Sequence, residues 1–160
     1  MEIRKATLKD LRQLEELYAH ARSEMVKNGN PHQWRDIEPK IETIVSRIND
    51  GVHYIIENNG AICGAFSLIL GKDPTYSYIE GQWVNDLPYV TIHSIASNNI
   101  IKGILKAAFD YGFNICSTIR IDTHKDNKIM IHLLEKHGFT FCGTIYLLNG
   151  EPRLAYMKTI

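Results

Sequence analysis

The segment Ile115–Gly143 constrains the fold more than any other part of the chain. It contains Thr118–Asp122, in which polar and apolar residues alternate as they do in a half-buried strand. A side chain that can cap a helix follows at Asp126–Asn127, and apolar residues then recur at helical spacing through Ile129–His137. Gly138 is a typical helix stop, and after it the alternation of polar and apolar residues that is typical of a strand resumes. The segment therefore predicts a strand, a helix and a second strand.

The rest of the chain predicts elements of similar size. Strands are expected at Glu2–Ala6, Val52–Glu57, Ala61–Leu70, Tyr89–Ser97 and Leu154–Lys158, and helices from Thr7 to about Met25, from Pro39 to Ile48 and from Gly103 to Gly112. Tight turns are expected at Asn58–Gly60 and Asn149–Gly150. Ser77–Val84 is either an extra loop or a short strand. The predicted order is β-α-α-β-β-β-α-β-α-β-β, an α/β chain with a mixed sheet.

Composition excludes several function classes. The 160 residues suit a single domain with one core, and 44% hydrophobic and 22% charged residues are ordinary for a soluble protein. A formal net charge of +0 offers no basic excess for a nucleic-acid backbone. No signal peptide is evident, and no apolar run approaches the roughly 20 residues of a membrane span. Cys63, Cys116 and Cys142 form no CxxC pair, which predicts reduced thiols in a cytoplasmic protein.

Two motifs carry a resemblance to a known family. Asn127 before a helix, and the step Lys136-His137-Gly138-Phe139 that ends it, are similar to the closing half of the GCN5-related N-acetyltransferase (GNAT) superfamily. The opening Ile3-Arg4-Lys5-Ala6-Thr7 and the order of elements extend the resemblance over the whole chain. It implies a central, twisted, mostly antiparallel sheet that splays at a cofactor cleft. It also implies acetyl-CoA as co-substrate without a metal, an amine acceptor on a small molecule or peptide, and a homodimer.

Residues Ile92–Gly103 suit the binding of coenzyme A. An exposed strand edge can pair with the pantetheine amides, and free amides at a helix start attract a pyrophosphate. The resemblance implies a cofactor site formed by Ile95, Ala96, Ser97, Lys102, Gly103, Ile104 and Asn127. The family's phosphate loop, Gln/Arg-x-x-Gly-x-Gly/Ala, matches at Gly103 only. Ile100 replaces the Gln/Arg, and Leu105 replaces the final small residue and can crowd the phosphate.

Candidates for the chemistry are few. The tyrosine that many family members use as an acid corresponds here to Leu134. His93, on the strand beside the predicted cleft, is either a general base or a satisfied core histidine. Glu80 is a base, an amine anchor or a surface charge. Tyr146 either faces the cleft or packs with its hydroxyl satisfied. A backbone amide near Ile95 is the candidate donor to the thioester oxygen.

The acceptor pocket is predicted in polar segments that carry single aromatic residues. Gln33, Trp34 and Trp83 shape such a pocket or anchor their loops. His124 lies between two aspartates, but these positions do not converge and no HExxH or CxxC spacing exists, so no metal is expected.

Two functions remain open from the sequence. The first is an N-acetyltransferase that moves the acetyl group of acetyl-CoA to a primary amine by direct attack in a ternary complex. The alternative is a non-catalytic module of the same fold that binds CoA or an amine, which the changes at Ile100, Leu105 and Leu134 favour.

Overall fold

The computed structural model describes residues 1–160. The strands are β1 (Glu2–Lys5), β2 (His53–Asn58), β3 (Ala61–Leu70), β4 (Glu80–Gly81), β5 (Val90–Ser97), β6 (Thr118–Thr123), β7 (Thr140–Tyr146) and β8 (Pro152–Thr159). The helices are α1 (Leu11–Lys27), α2 (Ile41–Asn49), α3 (Ile104–Ile115) and α4 (Lys128–Lys136), and short 3₁₀ turns lie at Leu8–Asp10 and Pro74–Tyr76. None of the helices has the length and apolar character to cross a membrane.

All eight strands form one sheet in the order β1-β2-β3-β5-β6-β8-β7-β4. Every neighbouring pair is antiparallel except β5 and β6, which run parallel. The predicted mixed, mostly antiparallel sheet is therefore confirmed.

Helices cover both faces of the sheet, so each face has its own core. Alternate strand residues point to opposite faces, and the neighbours Ile55 and Ile56 accordingly belong to different clusters. Ile55 packs with residues of α1 and α2 such as Leu14 and Ile44. Ile56 packs with residues of α3 and α4, including Leu134. This arrangement leaves the middle of the sheet fully buried.

Several predicted boundaries differ from the structure by a few residues. Helix α2 begins at Ile41 rather than at Pro39, because Lys40 has extended backbone angles and is the N-cap. Strand β8 already begins at Pro152, and α3 runs on to Ile115. The segment Ser77–Val84 contributes only the two-residue strand β4.

Strand β5 contains the irregularity that creates the cleft. Its parallel ladder with β6 has only two residue pairs, which end at Thr91, so the two strands separate beyond that point. On the other side, Ser94 and Ile95 together oppose the single residue Phe66 of β3, which is a β-bulge. Ser94 has a left-handed φ of 52°, which is uncommon for a residue with a Cβ. The splay confirms the expected fold.

Candidate active site

Consecutive residues of β5 line two neighbouring cavities. His93 and Ser94 border a polar cleft of about 720 Å³, whose walls are the α1–α2 loop, α2 and the β7–β8 turn. Ile95, Ala96 and Ser97 border a more apolar cavity of about 190 Å³ between α1 and the starts of α3 and α4. The bulge therefore lies at the boundary of the two cavities.

The apolar cavity gathers most of the predicted cofactor residues. Ile95, Ala96, Ser97, Ile104 and Asn127 line it together, with Leu105 among the other lining residues. Since β6 leaves β5 at Thr91, the cavity is bordered by a strand edge without a neighbour. Such an edge can accept an amide-containing chain as an added strand. The residues present therefore fit a pantetheine arm.

The loop before α3 is ordered by its own side chains. Ser97 Oγ accepts a hydrogen bond from the amide of Asn99 at 3.0 Å, and Asn98 Oδ1 accepts one from the amide of Ile100 at 3.1 Å. Gly103 is the N-cap of α3 with a φ of 86°, a left-handed conformation that favours glycine. The first amides of α3 have no partner within the helix and can bind an anion. The exposed side chains of Ile100 and Lys102 lie outside the apolar cavity.

Asn127 links the two cavities through a hydrogen-bonded bridge. Its Oδ1 caps α4 by accepting from the amide of Met130 at 3.1 Å, and its Nδ2 donates to Gln33 Oε1 at 2.9 Å. Gln33 Oε1 also accepts from Asn30 Nδ2 at 2.8 Å. Asn127 thus already has a capping and bridging role, and its second Nδ2 hydrogen and the remaining lone pair of Oδ1 are left for a ligand. Gln33 belongs to the polar cleft, as does Trp34.

A buried polar network holds the bulge in place. Tyr18 donates to the carbonyl oxygen of Ser94 at 2.6 Å, and Arg47 Nη1 donates to Ser94 Oγ at 2.8 Å and to Ser67 Oγ at 3.1 Å. His53 Nδ1 lies 2.8 Å from Ser67 Oγ. Burial and the nearby Arg47 charge lower the pKa of His53 to about 4. His53 is thus neutral, and Arg47 is the cation beside the bulge.

His93 forms a pair with Asp73, a residue that sequence analysis did not identify. His93 Nε2 lies 2.8 Å from Asp73 Oδ2, and Asp73 Oδ1 accepts from the amide and hydroxyl of Thr75. Burial acts to raise the pKa of Asp73, but the hydrogen bonds from His93 and Thr75 outweigh it and lower that pKa to about 2. An ionised carboxylate can only accept, so Nε2 carries the proton. The lone pair of the neutral ring is then on Nδ1, which has no partner in the chain.

Other charges in the polar cleft are mostly paired. Glu151, in the β7–β8 turn, accepts from Arg35 of the α1–α2 loop and from Arg153 of β8. Asp122 of β6 accepts a hydrogen bond of 2.6 Å from the buried hydroxyl of Tyr76. The Arg35–Glu151 contact closes one side of the cleft. No three His, Cys, Asp or Glu side chains come together as metal ligands would.

Three residues predicted for the chemistry or the acceptor pocket lie outside both cavities. Glu80 is exposed on β4, at the edge of the sheet, where it accepts a 2.9 Å hydrogen bond from Tyr146 of β7. Glu80 and Tyr146 therefore pair with each other, and neither lies beside His93. Trp83 packs against the guanidinium of the buried Arg120, with 4.1 Å from its ring centroid to Cζ, and donates to the carbonyl of Tyr76. Trp83 anchors its own segment.

The structure also shows why the usual tyrosine has no counterpart. Leu134 is fully buried and packs with Phe109 and Phe139 in the core under α4. A hydroxyl at this position would need a buried partner.

Comparison with known proteins identifies the family. A family model described as "Acetyltransferase (GNAT) family" matches residues 11–139. A crystal structure of a GNAT-family acetyltransferase from Streptococcus agalactiae is 32% identical, with a TM-score of 0.86, and the match covers 99% of this chain and 95% of that one. A search of curated proteins found no match.

More distant structures share the fold. A GNAT-family acetyltransferase from Listeria monocytogenes is 21% identical with a TM-score of 0.73, and the match covers 99% of this chain and 94% of that one. A phosphinothricin acetyltransferase from Sinorhizobium meliloti, solved in complex with acetyl-CoA, is 18% identical with a TM-score of 0.64. That match covers 99% of this chain and 88% of the other. The sequence match and the splayed sheet agree, and the chain belongs to the GNAT acetyltransferase family.

Proposed function

We propose that this protein is an N-acetyltransferase that moves the acetyl group of acetyl-CoA to a primary amine of a small molecule. The observation that carries the proposal is the arrangement along β5. His93 and Ser94 line a polar cleft, and Ile95, Ala96 and Ser97 line an adjoining apolar cavity. An acceptor amine and an acyl chain would therefore meet at the bulge.

His93 is placed to take the proton of the acceptor. An amine attacks only when it is neutral, so a base within hydrogen-bond reach raises the fraction that can react. Asp73 accepts from Nε2 and thereby directs the lone pair of His93 to Nδ1. The pair orients the ring and stabilises the imidazolium that forms when the proton arrives.

The bulge supplies positioning for the acyl end. When bound, acetyl-CoA supplies a thioester whose carbonyl carbon the amine attacks. The left-handed backbone at Ser94, held by Tyr18 and Arg47, re-aims the following amide of Ile95 out of the regular ladder. A donor aimed at the carbonyl oxygen stabilises the charge that develops there. Because Leu134 replaces the usual acid, positioning supplies the larger share of the rate.

Steady-state turnover tests the proposal. Release of CoA thiol from acetyl-CoA would be measured with a panel of amines, and the acetylated product would be identified by mass spectrometry. We expect turnover with at least one primary amine and a fall of about 10²-fold in kcat/KM for His93→Gln. The control Asp110→Asn removes an exposed carboxylate that pairs with Lys106 on α3, and it should leave kcat/KM unchanged.

The outcomes separate the enzyme from the alternative module. Binding of acetyl-CoA without acetylation of any amine in the panel would contradict the enzyme and favour a CoA-binding module. Turnover that His93→Gln leaves unchanged would contradict the role of His93 as base.

A further inference from the structure

We infer that the acceptor is a zwitterionic amino acid, in which a carboxylate close to the reacting amine is bound by Arg47. This inference rests on the proposed function and specifies its substrate class. It follows from the charges that the polar cleft leaves without a partner.

Arg47 is the cation that lies beside the bulge, and no carboxylate pairs with it. Its Nη1 donates to the hydroxyls of Ser67 and Ser94, and its Nε and Nη2 have no hydrogen-bond partner in the chain. The guanidinium of Arg47 is partly buried, and this burial lowers its pKa. A guanidinium in this state favours a planar anion, since a carboxylate can accept two parallel hydrogen bonds from it.

The neighbouring charges of the cleft balance one another. Arg35 and Arg153 share the single carboxylate of Glu151, and the carboxylate of Asp73 beside His93 adds the second negative charge. These groups therefore add little net field to the middle of the cleft. A carboxylate that enters the cleft is drawn to Arg47.

The carboxylate of Asp122 suits the ammonium group of the same molecule. Asp122 lines the cleft from β6, and the hydroxyl of Tyr76 is its hydrogen-bond partner. Apart from Glu38 and Lys40 of the α1–α2 loop, Arg47 and Asp122 are the charged groups of the cleft that lack an oppositely charged partner, and they lie on either side of β5. A zwitterion satisfies both, whereas a polyamine would place a second positive charge near Arg47.

The position of Arg47 limits the distance between the two ligand groups. The guanidinium contacts Ser94, which lies between the base His93 and the cavity residue Ile95 in the chain. A carboxylate bound to Arg47 is therefore close to the point of attack. An amino group only one or two carbon atoms from the carboxylate matches this geometry, as in an α- or β-amino acid.

Matched acceptors test the inference. Initial rates of acetylation would be compared for a set of amino acids, the corresponding amino-acid amides, and amines that lack the carboxylate altogether, including diamines. We expect kcat/KM for the acids to exceed that for the amides by about 10- to 100-fold, the range that a charge-assisted bidentate contact supplies. Arg47→Met should reduce this ratio to near one, and Arg47→Lys should keep part of it.

The acid-to-amide ratio of kcat/KM separates recognition of the carboxylate from damage to the bulge. Arg47→Met also removes the hydrogen bonds to Ser67 and Ser94, and a loss of bulge geometry lowers the rates for acids and amides alike. The matched control is Lys40→Met, which removes an exposed cation from the rim of the same cleft and should leave the ratio unchanged.

Three results would overturn the inference. Amides or diamines that react as well as the acids would overturn it while the proposed function stands. An acid-to-amide ratio that survives in Arg47→Met, or is lost in Lys40→Met instead, would assign the carboxylate to another residue. Failure of every amine to be acetylated would overturn the proposed function and this inference together.

Discussion

Replacing Asp73 by asparagine tests the pair that orients the candidate base. The substitution keeps the size of the side chain but removes the charge that accepts from His93 Nε2 at 2.8 Å. An amide can donate as well as accept, so it no longer requires a proton on Nε2. The ring can then place its proton on Nδ1, where the acceptor amine needs a lone pair.

The structure gives the size of the effect on stability. Despite burial, hydrogen bonds hold the pKa of Asp73 at about 2, below its usual 3.8. At about 1.4 kcal/mol per pKa unit, this difference corresponds to about 2.5 kcal/mol, which partial exposure of the pair reduces to about 1–2 kcal/mol. The contribution is fully present above about pH 4 and is lost as the pH falls through about 2, since the folded-state pKa is depressed.

Two assays check these expectations. Urea unfolding at pH 7 should show a free energy of unfolding about 1–2 kcal/mol lower for Asp73→Asn, and kcat/KM should fall by about 10²- to 10⁴-fold. Asp110→Asn, the exposed control, should change the free energy of unfolding by no more than about 0.5 kcal/mol. A variant with unchanged stability and unchanged kcat/KM would refute the argument, and a loss of stability without loss of activity would restrict the pair to a structural role.

Three further predictions concern other parts of the molecule. Burial and Arg47 lower the pKa of His53 to about 4. The contribution of His53 to the free energy of unfolding should therefore be constant above about pH 6.5 and fall by up to about 3 kcal/mol towards pH 4. Urea unfolding should show that His53→Gln removes this pH dependence, and an unchanged pH dependence would exclude His53 as its source. Gly103→Ala forces a Cβ into a left-handed conformation, which should cost about 1–2 kcal/mol and weaken acetyl-CoA binding in calorimetry; undiminished affinity would separate this loop from the cofactor. Trp83→Leu removes the contact with Arg120 and should lower the free energy of unfolding by about 2 kcal/mol. Because Trp83 borders neither cavity, kcat/KM should stay within about twofold of the unsubstituted protein. A loss of activity at unchanged stability would place Trp83 in the site.

Local signals in the sequence predict those parts of the fold that depend on local structure. The cap at Asn127, the stop at Gly138 and the helical spacing between them depend on residues a few positions apart, and α4 follows them closely. A capping box is a local signal of the same kind, and Thr7 and Asp10 form one, in which Asp10 Oδ2 accepts from the amide of Thr7 at 2.8 Å.

The parts that sequence analysis missed depend on contacts between distant segments. Asp73 precedes a proline and a threonine, a pattern that predicts a cap, and its Oδ1 is indeed the cap of the 3₁₀ turn. Its other oxygen reaches His93, twenty positions along the chain, and no local pattern indicates this contact. Arg47 likewise belongs to an ordinary amphipathic helix in the sequence, and only the structure shows its contact with Ser94 at the bulge.

The positions of Glu80 and Tyr146 also depend on contacts between distant segments. The chemistry of their side chains makes them candidates, but the strand order decides where they lie. Strand β4 pairs with β7 at the edge of the sheet, where the backbones approach closely at Gly81 and Gly143. The pairing of a two-residue strand leaves no periodic signal, so the sequence does not indicate which edge these side chains occupy.

Calorimetric titration of the purified protein with acetyl-CoA tests most directly that the cavity beside β5 binds the cofactor. Desulfo-CoA and ATP serve as controls for the thioester and for the nucleotide alone. We expect a single site with micromolar affinity for acetyl-CoA, weaker binding of ATP, and reduced affinity in Gly103→Ala. Absence of binding at millimolar acetyl-CoA would contradict the account, because Leu105 and the altered loop at Ile100 would then have removed the cofactor site on which the proposed reaction depends.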